Sequence, residues 1–225
     1  MSQKDREKSQ ILLERRLKRA TEKDLLLVDL DGTLYLGDSL LDFLLFTQKK
    51  ITLFTALIIF MPRLIAINLK ITSVAKVKES VIARFFKGFS RSSLNKMGQM
   101  YAEAYLQKKI NISLFSIIKN FPGRKIIVTA SLEWWVAGLA NLMGLEFICT
   151  LPKHSKTQNK PYTGFFATPN CSFEEKVRRI KLKVNLIDHP SIYAFGNTKS
   201  DHAMLRLADY AYWVNSKGKV QPYDD

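Results

Sequence analysis

The chain has 225 residues, 47% of them hydrophobic, enough to bury a sizeable core as one domain or one domain with a large insertion, which excludes a disordered protein. A formal charge of +15 and a pI near 9.8 imply attraction to polyanions, whether nucleic acid, anionic lipid headgroups or phosphorylated substrates, without choosing among them. Cys149 and Cys171 are too few for a disulfide framework and lack metal-ligand spacing, so they read as small buried hydrophobes of a reducing compartment.

Residues 1–24 are polar and basic. Ile11, Leu12, Leu13 and Leu17 cluster among Arg15, Arg16, Lys18 and Arg19, so a basic N-terminal arm is expected, either a solvated tail or a short amphipathic helix. Charge from Lys4 onward leaves no apolar stretch followed by a cleavage site, and no secretory signal is expected. The run from Leu25 to Val28 then delivers Asp29 and Asp31 and breaks at Gly32. It is too short for a buried helix and reads as a core strand presenting two carboxylates at its C-terminal end.

A turn through Tyr35 and Gly37 leads into a helix capped by Asp38 or Ser39. From there to about Asn120 the apolar residues keep helical spacing, which predicts a helical insertion over residues 35–120. Its charge is lopsided: from Lys49 to Lys96 ten lysines and arginines accompany a single acid, Glu79. Within it the segment from Ile51 to Ile67 is nearly all apolar but is interrupted by Pro62 and Arg63. A spanning helix needs about 20 apolar residues, so a transmembrane span is not expected. Two readings remain, a core helix of the insertion or an element bedded in a bilayer interface with basic residues on the headgroups.

The core resumes over residues 121–225. A β-rich run from Lys125 to Thr129 precedes a helix capped by Ser131 and carrying Trp134 and Trp135, which read as packing residues. A strand from Phe147 to Leu151 and a hairpin arm from Lys160 to Phe166 come next. Glu174 and Glu175 then open a basic helix from Lys176 to Lys183. A strand from Ile192 to Phe195 stops at Gly196, a helix covers Ala203 to Ala208, and a last strand runs from Tyr210 to Val214. Strands alternating with helices predict a parallel α/β sheet. His154, His189 and His202 share no ligand spacing and are expected in ordinary surface or loop roles.

Four stretches lie where open parallel sheets place ligands, at strand C-termini. Asp29 as nucleophile and Asp31 as acid/base partner suit phosphoryl transfer: the carboxylate attacks phosphorus, and the neighbouring carboxyl protonates the leaving alkoxide and then activates water. Two adjacent anions repel a phosphate unless a magnesium ion lies between them. Thr129 and the Ala130 backbone N–H are placed to grip phosphoryl oxygens, and Lys176 to offset transition-state charge. The segment Gly196 to Asp201, with Asn197 and Asp201, brings further oxygen ligands. Thr33, Ala130 and Ser131 are the expected substrate contacts; Asp29, Asp31, Asn197 and Asp201 are the expected metal ligands.

Taken in this order, Asp29 to Leu34, Thr129, Lys176 and Gly196 to Asp201 resemble the four motifs of the haloacid dehalogenase superfamily of phosphohydrolases. The resemblance covers residues 25–214. It implies a three-layer α/β fold with a parallel-sheet, Rossmann-like core and an inserted helical cap. The position of the cap after the first strand is similar to subfamily IB, which includes phosphoserine phosphatase. The segments IIVTAS, TGFFATPNCSFEEKVRRI and YAFGNTKSDHAMLRLADYAYWVN are similar to phosphatase-like domains found alone or joined to polyprenyl-transferring membrane enzymes. The family also implies a mobile hinge at Tyr35, Leu36 and Asp38, lining the substrate entrance. One position departs from the pattern: the usual first Asp of the fourth motif is Asn197, which keeps an oxygen but loses a charge, so magnesium binding should be weaker.

The expected function is thus a magnesium-dependent phosphomonoester hydrolase working through an aspartyl-phosphate. A phosphoserine-type substrate needs a cap acid for its ammonium group, whereas an apolar, basic cap suits a phosphorylated amphiphile or lipid-linked sugar phosphate. A cytoplasmic location is expected, peripheral at the inner face of the membrane where the cap meets anionic lipid. A second reading is a polyanion- or membrane-binding module on a catalytically weakened scaffold. No nucleic-acid motif is present, so nucleic acid is not an expected partner.

Overall fold

The computed structural model describes residues 16–17, 19–69 and 71–223. Residues 1–15 and 18 of the basic arm lie outside the described residues. Six strands form the main sheet: β1 (Leu25–Val28), β2 (Arg124–Leu132), β3 (Glu146–Thr150), β6 (Ile192–Gly196), β7 (Tyr210–Val214) and β8 (Val220–Pro222). Their order is β3-β2-β1-β6-β7-β8. All neighbours are parallel except β7 and β8. β4 (Pro152–His154) and β5 (Tyr162–Phe166) make a separate antiparallel pair.

β1 is apolar throughout because it is covered on both faces. Leu26 and Val28 enter one core layer with Ile127, Tyr193 and Phe195. Leu25 and Leu27 enter the other with Ile126, Val128 and Ala194. Helix α6 (Glu133–Met143) covers the first face; α7 (Glu174–Lys183) and α8 (His202–Arg206) cover the second. The result is the three-layer, Rossmann-like sandwich that the sequence predicts. Because β1 has β2 on one side and β6 on the other, the C-terminal ends of these three strands converge where the chain reverses its strand order.

Between β1 and β2 run five helices: α1 (Ser39–Thr47), α2 (Lys50–Asn68), α3 (Val74–Phe86), α4 (Arg91–Lys109) and α5 (Ile112–Asn120). Asp38 caps α1 by accepting from the Leu41 N–H at 3.0 Å. Ser73, Ser90 and Asn111 cap α3, α4 and α5 in the same way. Among the described residues the cap has no core of its own. Phe43, Phe86 and Tyr101 pack with Trp134 and Trp135 of α6 in the same layer as the sheet. At this joint α4 and α6 meet backbone to backbone: a Cβ on Gly98 would lie 1.8 Å from the Trp134 carbonyl oxygen, and one on Gly138 would lie 2.8 Å from the Gly98 oxygen.

Three expectations are corrected. Tyr210–Val214 is not the last strand; after a turn at Gly218, with φ +72°, β8 pairs antiparallel on the sheet edge. β2 does not stop at Thr129 but continues to Leu132, losing register with β3 between Val128 and Leu132. Ser131 does not cap α6, whose N-cap is Leu132 with no side-chain bond. Ile51 to Ile67, for which two readings stood open, lies in α2, which runs unbroken through Pro62, buries Ala56 and Phe60 and leaves Phe54 and Ile58 more than half exposed. Cys149 and Cys171 are free and buried, as expected.

Candidate active site

Asp29 follows the last residue of β1 and is buried. The chain then makes a tight loop: the Tyr35 N–H donates to the Leu30 carbonyl at 2.8 Å, and the Gly32 N–H donates to the Tyr35 carbonyl at 2.8 Å. Gly32 adopts φ +76°, a region that a Cβ disfavours. The loop turns Asp31 back toward the sheet end. The Ser39 N–H, at the start of α1, donates to Asp31 Oδ1, and Ser131 Oγ donates to Oδ2, each at 2.6 Å. Ser131 therefore serves the loop and not the helix. Burial raises the Asp31 carboxyl above its ordinary range, with Ser131 and Ser39 opposing.

Lys176 comes from the first turn of α7 and is fully buried. Its Nζ donates to Asp29 Oδ1 at 2.6 Å, to Asp201 Oδ1 at 2.6 Å and to the Val128 carbonyl at 2.7 Å. Burial alone would lower this lysine, but the two carboxylates outweigh it and keep the ammonium charged. Asp29 is pushed up to about 7, by burial first and by Asp201 second, against the pull of Lys176. Asp201 moves the other way. Burial opposes its ionisation, but Lys176 and the N–H groups of Thr198 and Asn197 prevail. Its Oδ2 accepts from both of those N–H groups and from Thr198 Oγ1.

The remaining predicted residues divide. Thr33 Oγ1 stands 3.5 Å from Asp29 Oδ2, beside the nucleophile, whereas Thr129 Oγ1 accepts from the Ser131 N–H at 3.1 Å and so steadies the residue that bonds Asp31. The Ala130 carbonyl accepts from Thr150 Oγ1 and from Lys78 Nζ, both at 2.7 Å. Tyr35 does not line an entrance. It is buried, its hydroxyl donating to Asp42 Oδ2 and accepting from the Tyr101 hydroxyl. Leu36 and Asp38 are exposed beside it.

A magnesium ion needs oxygen donors. Among the described residues no three His, Cys, Asp or Glu are grouped to hold a metal, so such a site here must draw on amide and main-chain oxygens. Asn197 fits that requirement: its Oδ1 is buried without a hydrogen-bond partner. Gly32 makes this possible, because a Cβ there would lie 2.0 Å from Asn197 Nδ2.

Residues 26–206 match the haloacid dehalogenase-like hydrolases. The chain belongs to this family. No curated protein matches it by sequence. Among solved structures, a protein of unknown function from Bordetella pertussis Tohama I is similar at 20% identity, with 84% of this chain and 88% of that one covered and a TM-score of 0.68. A haloacid dehalogenase family hydrolase from Salmonella enterica serovar Typhi follows at 15% identity, 89% and 68% coverage and TM-score 0.56. A phosphoserine phosphohydrolase-like protein from Francisella tularensis gives 13%, 82% of each chain and 0.54. These likenesses establish a shared phosphatase-like fold, and the cap after the first strand agrees with subfamily IB.

Three residues of this hydrolase escaped the sequence reading. Lys78, counted there only as cap charge, reaches from α3 to the Ala130 carbonyl; burial lowers its ammonium, with Asp31 and Asp38 opposing. Ser39 accepts from Trp135 Nε1 at 2.9 Å and shares a hydrogen bond with Ser131 Oγ at 3.1 Å, tying α1 to α6 across the site. Asn111 donates to the carbonyls of Thr33 and Gly218, pinning the nucleophile loop to the turn before β8. The partners that draw these side chains to the site lie 52 or more residues away in sequence, so no short-range signal marks them.

Proposed function

We propose that this hydrolase is a magnesium-dependent phosphomonoesterase that forms a covalent acyl phosphate on Asp29. The observation that carries the reading is the fully buried Lys176 bridging Asp29 and Asp201, with Asp31 held one residue away by Ser39 and Ser131. Lys176 occupies Asp29 Oδ1, which leaves Oδ2 to attack phosphorus. As the P–O bond to the leaving group breaks, Asp31 gives its proton to the departing alkoxide. The same carboxylate then takes a proton from water, whose oxygen attacks phosphorus and expels Asp29. Thr129 and the Ala130 N–H hold phosphoryl oxygens, and Lys176 balances charge on the nucleophile.

Asp29, the Asp31 carbonyl, Asn197 Oδ1 and Asp201, directly or through water, would hold magnesium. Bound there, the ion supplies neutralisation of the phosphate and carboxylate charge.

For the substrate we infer a phosphorylated amphiphile. All four acids of residues 35–120 have partners: Asp38 the Leu41 N–H, Asp42 the Tyr35 hydroxyl and Lys109, Glu79 the Phe166 N–H, and Glu103 the Gln99 amide. Asp38, which caps α1 through Oδ1, is the cap acid that acts on Asp31 and Lys78, and against this single acid Lys78 offers a cation beside the phosphate cradle.

Hydrolysis of an aryl phosphate with magnesium tests the reaction. Wild type should turn over, and Asp29→Asn should lose about 1,000-fold or more. No activity in either protein overturns the enzyme reading; equal activity in both removes Asp29 as nucleophile. A panel of sugar phosphates, amino-acid phosphates and lipid phosphates then tests the substrate class, with preference for phosphoserine as the refuting result.

A further inference from the structure

The outward face of α2 is the least ordinary surface of the molecule. Ile51, Phe54, Ile58, Ile59 and Met61 recur at helical spacing, and each is roughly half exposed or more. The helix is seated by Ala56 and Phe60, which are buried, so the exposed stripe lies opposite its packed side. From Ile51 to Pro62 there is no charged residue at all. A solvated helix of a water-soluble domain normally carries its charges on that side. Both neighbours also expose apolar residues, Leu45 of α1, Leu69 and Ile71 between α2 and α3, and Val74 at the start of α3.

Charge identifies what covers this face. Between Asp42 and Glu79 the sequence holds six lysines and arginines and no acid. Lys49 and Lys50 are exposed at the start of α2, and Lys76 is exposed in the first turn of α3. A protein partner would have to match a charge-free stripe inside a rim of one sign. A bilayer containing anionic lipid does so without further design, with acyl chains against the stripe and headgroups against the rim. At 19 residues, α2 is about 28 Å long and can lie flat in the interface. Among the described residues no helix is long and apolar enough to cross a membrane, so the geometry is that of an element lying on lipid.

We propose that α2, with its flanks, docks the protein on an anionic membrane surface. The surface is argued from α2 alone, but its purpose rests on the amphiphile reading above. The two helices that hold α2 also reach the catalytic residues, α1 through Ser39 on Asp31 and α3 through Lys78 on Ala130. A phosphorylated headgroup lifted from the interface would meet the site one helix away.

The test is co-sedimentation of the full chain with vesicles of phosphatidylglycerol and phosphatidylcholine, aryl phosphate hydrolysis being followed on the same samples. Wild type should bind, more weakly at high salt and on pure phosphatidylcholine. The exposed pair Phe54→Ser and Ile58→Ser should lower the partition coefficient by about 30-fold or more and leave aryl phosphate hydrolysis unchanged. Ile187→Ser, at an exposed position elsewhere, should bind as wild type does. The proposal is overturned if wild type does not bind, or if the α2 pair binds undiminished. It is equally overturned if that pair converts a wild-type dimer to monomer without vesicles, because a second copy then covers the stripe. Binding without hydrolysis in any sample would keep the docking face and reject the phosphatase reading instead.

Discussion

Gly32 joins the nucleophile loop to the amide that replaces a carboxylate, so Gly32→Ala separates two consequences. The residue holds φ +76°, and a left-handed conformation costs an alanine about 1–2 kcal/mol. Its Cβ would also lie 2.0 Å from Asn197 Nδ2 and 3.1 Å from Cγ. An ordinary contact is about 3.4 Å, so the amide must move by well over 1 Å, which a side-chain rotation provides cheaply. Stability should therefore fall only by the backbone cost, lowering Tm by about 2–8 °C in a chain of this size. The rotation, however, carries Oδ1 away from where it now points. The magnesium concentration for half-maximal aryl phosphate hydrolysis should rise by about 10-fold or more, the scale seen when a supporting group of a metal site is lost. Thermal unfolding in chelator and a magnesium titration of activity read the two effects apart. A fall in Tm with an unchanged magnesium requirement would refute Asn197 as a ligand.

Gly98→Ala should be far more damaging. The Cβ would meet backbone atoms of Trp134 and Trp135, which cannot rotate away, so a loss of about 3 kcal/mol or more is expected in urea unfolding; an unchanged midpoint would contradict the close seam. Glu175 is held near 2 by hydrogen bonds from Arg178 and, against some desolvation, from Arg179. Its folded value lies below the ordinary 4.5, so its contribution is full above about pH 4.5 and is lost as the pH falls toward 2. The Tm difference between wild type and Glu175→Gln should shrink over that window; a constant difference would show that the pair does not contribute through ionisation.

The parts of the site that could be read from the sequence are those with local causes. An apolar run ending in a glycine announces β1 and its carboxylates, and acids before a basic run announce α7 and so Lys176. What escaped depends on partners far along the chain. Ser131 looks like a helix cap because Ser before an apolar helix usually is one; its bond to Asp31 spans 100 residues. Tyr35 sits in the expected loop, but its direction is set by Tyr101, 66 residues on. β8 is three residues with a proline, too short for any periodicity, and exists only because β7 offers an edge. For α2 the hydrophobic spacing fits burial and exposure equally well, and only the packing of Ala56 and Phe60 decides which side is covered.

The seam between α4 and α6 also limits how the enzyme can breathe. Opening the site by swinging α4 off α6 would bring Trp134, Trp135 and Tyr101, all buried now, into water at a cost of several kcal/mol. The other end of the cap is likewise fastened, where the Gly88 N–H donates to the Tyr162 carbonyl, the Tyr162 N–H to the Phe89 carbonyl, and the Phe166 N–H to Glu79. The β4–β5 hairpin therefore travels with α3, and α4 stays with the sheet. α1 is held to α6 as well, by Ser39 and by Phe43 on Trp135, which leaves α2 as the cap helix with an uncovered apolar face, so the rate of product escape should respond to what α2 is resting on.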